Sequence, residues 1–212
     1  MKIIILAAGK GERLYPLTKD TPKPLLDMGN GKTLLEEQIE RIKASGVINE
    51  IILVTGYLTE KVEAKIQGYK GSGITIKTIY NPFYDISNNL ISMWFAKQEM
   101  SESFLLSNGD NLFAADIFKR FVQENNYGIF LAVCRKDHYD DDDMKVILQN
   151  GLIKRLDKNI ASQAAHAESP GLLFVDGAQA AAAIRDELET LIKKPGHRNS
   201  FWLEALNSLA NK

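Results

Sequence analysis

The chain has 212 residues, 45% of them hydrophobic and 25% charged, with a formal net charge of −1. That length and composition suit one well-buried globular domain. The near-neutral charge excludes a general nucleic-acid binder, which would carry a basic excess. The longest N-terminal apolar run, Ile3 to Ala8, is too short for a signal-peptide core or a membrane span, so the chain reads as cytoplasmic with no membrane partner. Cys134 is the single cysteine and lies in the apolar run GIFLAVC. It has no disulfide or CxxC partner and reads as a buried structural thiol.

In chain order, KIIILAA is a continuous apolar run bounded by glycine, as expected of a parallel strand buried on both faces. TLLEEQIERIKASG then sets Leu34, Leu35, Ile39 and Ile42 on one helical face, with Thr33 and Glu36 at capping-box spacing and Gly46 as its stop. EIILVTG reads as a second strand, TEKVEAKIQGY as a helix and ITIKTIYN as a third strand. NNLISMWFAKQEM, with Trp94 and Phe95 packing on the core, reads as a helix, SFLLSNGD as a fourth strand and AADIFKRFVQEN as another helix. This alternation predicts an α/β fold of the Rossmann-like three-layer type, with helices on both sides of a parallel or mixed sheet. After about residue 125 the rhythm changes. YGIFLAVCRK, MKVILQNGLIKRLDK and PGLLFVD are strand-like, with a hairpin turn at Asn150-Gly151, and the acidic run Asp140 to Asp143 reads as a solvated loop. Two helical stretches close the chain, and Phe201 and Trp202 in the last could serve a homodimer contact as readily as the core.

The loop after the first strand holds Gly9, Gly11, Arg13, Pro16, Pro22, Lys23 and Pro24. Glycines there let backbone N–H groups approach an anion, the cations reach phosphate, and the prolines reduce the entropy lost on ordering. In open α/β sheets such a loop lies where ligands bind. It is neither a Rossmann fingerprint, since no G-x-G-x-x-G leads into a helix, nor a P-loop, since Leu26 stands where GKT at Gly31 would need a glycine. At the end of the fourth strand, Gly109 and Asp110 place a carboxylate that can hold Mg²⁺ against phosphates.

LAAGKGERLYPLT with TPKPL and the NGD of Asn108 to Asp110 resembles the nucleotidyltransferases that join a nucleoside triphosphate to a phosphorylated sugar or alcohol. NPFYDISNNLISMWFAKQEM is similar to a segment of the small cytidylyltransferases acting on phosphocholine and related phosphates or phosphonates. The resemblance implies a single domain over 1–212, with a nucleotide-binding half (1–125) and an acceptor-binding half (126–212). Lys23, Arg13 and Asp110 would be catalytic, Asp110 through Mg²⁺. Leu6, Ala7, Ala8, Gly9, Gly11, Gly56, Tyr57, Asn88, Asn89 and Gly109 would surround the nucleotide, CTP by the narrower likeness, although Asn88 and Asn89 read equally as helix caps. Lys145 would face the acceptor's phosphate and Glu168 its remaining polar group. The expected reaction is in-line attack of the acceptor's anionic oxygen on the α-phosphorus, releasing pyrophosphate. Sugar-1-phosphate uridylyl-, thymidylyl- or guanylyltransfer, and a nucleotide-binding regulatory module without turnover, are the alternatives. One departure stands out: after Asn199, where the family carries a second metal-binding carboxylate, this chain offers only Glu204.

Overall fold

The computed structural model describes residues 1–212. In chain order the elements are β1 (Lys2–Leu6), α1 (Leu34–Ser45), β2 (Glu50–Thr55), α2 (Thr59–Ile66), β3 (Thr75–Tyr80), α3 (Asn89–Phe95), β4 (Phe104–Asn108), α4 (Ala115–Gln123), β5 (Gly128–Leu131), β6 (Lys145–Gln149), β7 (Leu152–Asp157), β8 (Ala167–Glu168), β9 (Leu172–Asp176), α5 (Ala178–Ile192) and α6 (Glu204–Ala210). Six strands form one sheet in the order β3-β2-β1-β4-β9-β5. The first four are parallel, β9 runs antiparallel to β4, and β5 antiparallel to β9, so the sheet is mixed. A second, three-stranded antiparallel sheet, β7-β6-β8, holds the Asn150-Gly151 hairpin.

The apolar strands are explained by two-sided burial. Ile3 and Ile5 of β1 share one core with Leu35, Ile39 and Ile42 of α1. Ile4 and Leu6 share the other with Leu90 and Met93 of α3 and with Ile184 and Leu188 of α5. Each side chain at the centre of β1 is almost fully buried, at a typical gain of about 1.5–3 kcal/mol per large aliphatic residue. The predicted capping box of α1 forms: Thr33 Oγ1 accepts from the N–H of Glu36, and the Glu36 carboxylate accepts from that of Thr33. Gly46 ends the helix in the left-handed conformation.

Three expectations are corrected. Cys134 is exposed rather than buried, because β5 ends at Leu131 and only an isolated bridge to Glu168 follows. The terminal helix starts at Glu204, with Phe201 and Trp202 ahead of it. Trp202 is fully buried in the core, whereas Phe201 is 40% exposed. Lys145 is buried, 2% exposed. No helix is long and apolar enough to cross a membrane.

Candidate active site

Strand order places the site. From β1 the chain proceeds outward to β2 and β3, then returns to lay β4 on the other side of β1. Loops leaving the carboxyl ends of β1 and β4 therefore diverge and open a crevice at the switch point. A cleft of about 460 Å³ lies there. Its two walls meet at Gly109, whose N–H donates to the Leu6 carbonyl at 2.8 Å. A Cβ at Gly109 would come within 2.7 Å of Ala7, so only glycine lets the NGD turn seat on the opening strand. Gly11 holds the first loop in the left-handed conformation, φ 69°, and its carbonyl accepts from the Thr18 hydroxyl. The prolines limit this loop to two short 3₁₀ turns, at Glu12–Leu14 and Lys23–Leu25. The second turn delivers the Lys23 ammonium to Asp110 Oδ2 at 2.7 Å.

Most of the expected residues converge. Leu6, Ala7, Ala8, Gly9, Gly11, Arg13, Lys23, Asn88, Asn89, Gly109, Asp110 and Glu168 all line the cleft. Asn88 also caps α3, its side chain accepting from the N–H of Asn89. Gly56 and Tyr57 stand behind the wall instead. Gly56 is pressed against Tyr84 and the Ala8 carbonyl, which leave no room for a Cβ. The Tyr57 hydroxyl donates to the Lys19 carbonyl, bracing the opening loop from outside.

Lys145 does not reach the cleft. Its position on β6 turns the side chain inward, and the ammonium donates to the Lys158 carbonyl at 2.8 Å. The cation at this end of the cleft is Lys158 itself. Its ammonium lies 3.1 Å from Asp142, which also accepts from Arg13 at 3.3 Å, so the acidic loop is tied across the mouth of the site. Lys158 chiefly, with Arg13, holds the Asp142 carboxyl below its ordinary range. Next to this chain Lys136 bridges Glu168 at 2.7 Å and Asp143 at 3.1 Å. Burial pushes the Glu168 pKa up, Lys136 opposes it, and neighbouring Asp143 adds to the rise. Burial would raise Asp143 as well, but the Asp140 N–H, Glu168 and Lys136 together hold it below its usual value. Two carboxylates against one ammonium leave this corner with an excess of one negative charge.

Four residues in or beneath the cleft were not among the candidates that the sequence offered. Gln38 of α1 is buried and donates to the carbonyls of Gly109 and Asn111, at 3.2 and 2.7 Å. As one polar position on an otherwise apolar helical face, it could have been singled out. Tyr84 and Trp202 reach the cleft only through the tertiary fold, whereas Asn108 opens the NGD motif already named. For a divalent cation the first wall offers one carboxylate, Asp110. Glu204 is outside the cleft, accepting from Asn207, and no cluster of three metal-ligating side chains exists. One carboxylate is nevertheless a normal protein share for Mg²⁺, which keeps waters and takes phosphate oxygens from its substrate.

The sequence model for the family described as "Nucleotidyl transferase" matches residues 2–156. Choline-phosphate cytidylyltransferase of Streptococcus pneumoniae is 30% identical over 191 residues, covering 88% of this chain and 80% of that protein. CTP:phosphoglutamine cytidylyltransferase of Campylobacter jejuni is 34% identical over 128 residues, 58% of this chain and 48% of the relative. CMP-5'-(3-aminopropyl)phosphonate synthase of Streptomyces rubellomurinus is 31% identical over 122 residues, 58% of this chain but 19% of that longer protein. Among solved structures, the CTP:phosphocholine cytidylyltransferase of Streptococcus pneumoniae superposes with a TM-score of 0.70 at 26% identity, over 98% of this chain and 84% of the other. With the glycine-lined loop, the lysine and the aspartate meeting at the sheet's switch point, these matches establish that the chain belongs to the nucleotidyl transferase family.

Proposed function

We propose that this nucleotidyltransferase moves CMP from CTP to a small phosphate or phosphonate acceptor bearing a cationic nitrogen, phosphocholine being the reference case, and releases pyrophosphate. The observation that carries this reading is the Lys23–Asp110 pair, 2.7 Å apart in the cleft between the two motif loops. In it a phosphate-binding cation and a metal-binding carboxylate neutralise one another until a triphosphate separates them.

The acceptor oxygen is already anionic, so the step needs no general base, and catalysis rests on positioning and charge neutralisation. Gly9 and Gly11 leave backbone N–H groups open to the triphosphate, and Arg13 grips its outer phosphates. Lys23 turns from Asp110 to the charge that builds around the α-phosphorus. Asp110 would hold the Mg²⁺ that accompanies the triphosphate and supplies Lewis-acid charge neutralisation. The base lies against Ala7, Ala8, Asn88 and Asn89. The acceptor enters the half built from residues after 125, where Lys158, in place of the buried Lys145, meets its phosphate. Asp143 and Glu168, with their surplus negative charge, take its cationic nitrogen. The names of the three relatives, all of them acting with cytidine nucleotides, support the choice of base.

Pyrophosphate release measured with CTP, UTP, dTTP, ATP and GTP, each against phosphocholine, an aminoalkylphosphonate and a hexose-1-phosphate, tests the reading. CTP with a nitrogen-bearing acceptor should be fastest. Equal or faster turnover with UTP or dTTP and a hexose-1-phosphate overturns it.

A further inference from the structure

Trp202 has no accessible surface, yet it closes one wall of the cleft. Its indole N–H donates to Asn108 Oδ1 at 2.9 Å, and its backbone N–H donates to Asn89 Oδ1 at 2.8 Å. Asn108 ends β4, two residues before Asp110, and its own N–H donates to the Gly171 carbonyl at 3.3 Å. Gly171 has a left-handed φ of 79°, and the side-chain amide of Asn108 fills the space a Cβ would take there. From the opposite side Gln38 holds the carbonyls of Gly109 and Asn111. The turn that carries Asp110 is thus clamped on both sides, by Gln38 and by Trp202 through Asn108.

Removing the indole N–H would take from the half-buried Asn108 Oδ1 its one side-chain donor, and the amide would then be free to rotate toward other partners. Rotation would shift the turn below it, and small displacements of a reacting group are expensive in rate. At this point of the fold, the segment after Asn199 contributes an indole donor to the Asp110 turn, while its only carboxylate, Glu204, points elsewhere.

We infer that Trp202 is a positioning residue: its indole N–H fixes Asn108, and through it the orientation of the Asp110 carboxylate toward Mg²⁺, while its backbone ties the same turn to Asn89 at the head of α3. This role rests on the nucleotidyl-transfer reading above, but its test includes a binding measurement that needs no turnover. Trp202→Phe keeps the apolar bulk and deletes the donor. The Mg²⁺ concentration giving half-maximal pyrophosphate release should rise about tenfold, with the acceptor KM unchanged. The Mg²⁺ dependence of CTP binding, followed by calorimetry, should shift by the same factor. Asn108→Ala should reproduce the shift, and the double variant should be no worse than the larger single effect, since both substitutions break one path. A Trp202→Phe protein that melts lower but keeps the parental Mg²⁺ dependence overturns the inference, as does a double variant whose shift is the product of the two. Should Trp202→Phe not fold, Asn108→Ala decides alone: a tenfold shift supports the role and an unchanged one sinks it. A parent without turnover on any triphosphate would instead sink the function, with the calorimetric comparison still reporting on Asp110.

Discussion

Residue chemistry separates the two charged groups paired at the opening site. Lys23 and Asp110 keep side-chain exposures of 28% and 38%, so their pair contributes little to folding. Lys23→Ala should leave the Tm within a few degrees of the parent and lower kcat by about 10²–10³, the usual range for deleting one preorganised charge from a transition state. Asp110→Asn should also lower kcat, but raised Mg²⁺ should recover part of it. Lys23→Ala should show no such rescue. If Lys23→Ala retains parental turnover, the loop is only a crossover. The place of Lys23 in the cleft was legible in the sequence because loop chemistry is local: glycine, proline and cation follow one another within about twenty positions. Lys145 was not, because a strand side chain points to one face or the other, and only register shows which. On β6 that register turns Lys145 to the interior, and Lys158, at the end of the hairpin partner, comes to the cleft instead.

Among the elements, α1 links stability to the site. Its capping box starts the helix, and its second turn brings Gln38 under the Asp110 turn. Thr33→Ala removes one cap, worth typically about 1 kcal/mol, or roughly 2–4 °C of Tm for a chain of this size. Thr33 does not line the cleft, so KM for both substrates should stay at parental values. Acid should act on the same corner. The Lys65 ammonium first, then the Thr33 N–H, hold the Glu36 carboxyl down to about 2. A carboxyl depressed in the folded state stabilises fully above its unfolded pKa, and that contribution is lost as pH falls through the folded one. Tm should therefore decline between about pH 4.5 and 2, and Glu36→Gln, lower at neutral pH, should decline less over that window. A parallel decline in both proteins would show that Glu36 is not the group responsible. Helices and strands of this half were readable from periodicity and caps. The second half misled where an apolar run outlasted its strand, as at Cys134, or where a terminal aromatic was buried ahead of its helix, as at Trp202.

At the scale of the whole molecule, the order of strands could not be read from the sequence, since a buried parallel strand carries no mark of its neighbours. Yet that order brings residues far apart in the chain into one cleft, and the ion pairs across its mouth are its long-range consequence. Arg13 and Asp142, 129 positions apart, are each 79% exposed on their side chains. Such a pair adds nothing measurable to folding, but it occupies the guanidinium proposed to engage the triphosphate. In the proposed reaction, entry of the nucleotide would exchange Asp142 for phosphate at Arg13, whereas Lys158 would keep the Phe201 face, 5.5 Å from its ammonium. Asp142→Asn should then leave Tm unchanged and lower the KM for the triphosphate by a small factor, roughly two- to fivefold at low ionic strength. Because exposed charges are screened over a Debye length of about 8 Å at physiological salt, raising the salt should bring parent and variant together. The acceptor KM gives the contrast: freeing Lys158 from Asp142 should lower it too if Lys158 meets the acceptor's phosphate. A triphosphate KM that rises in Asp142→Asn would mean the acidic loop holds Arg13 in its working position rather than withholding it.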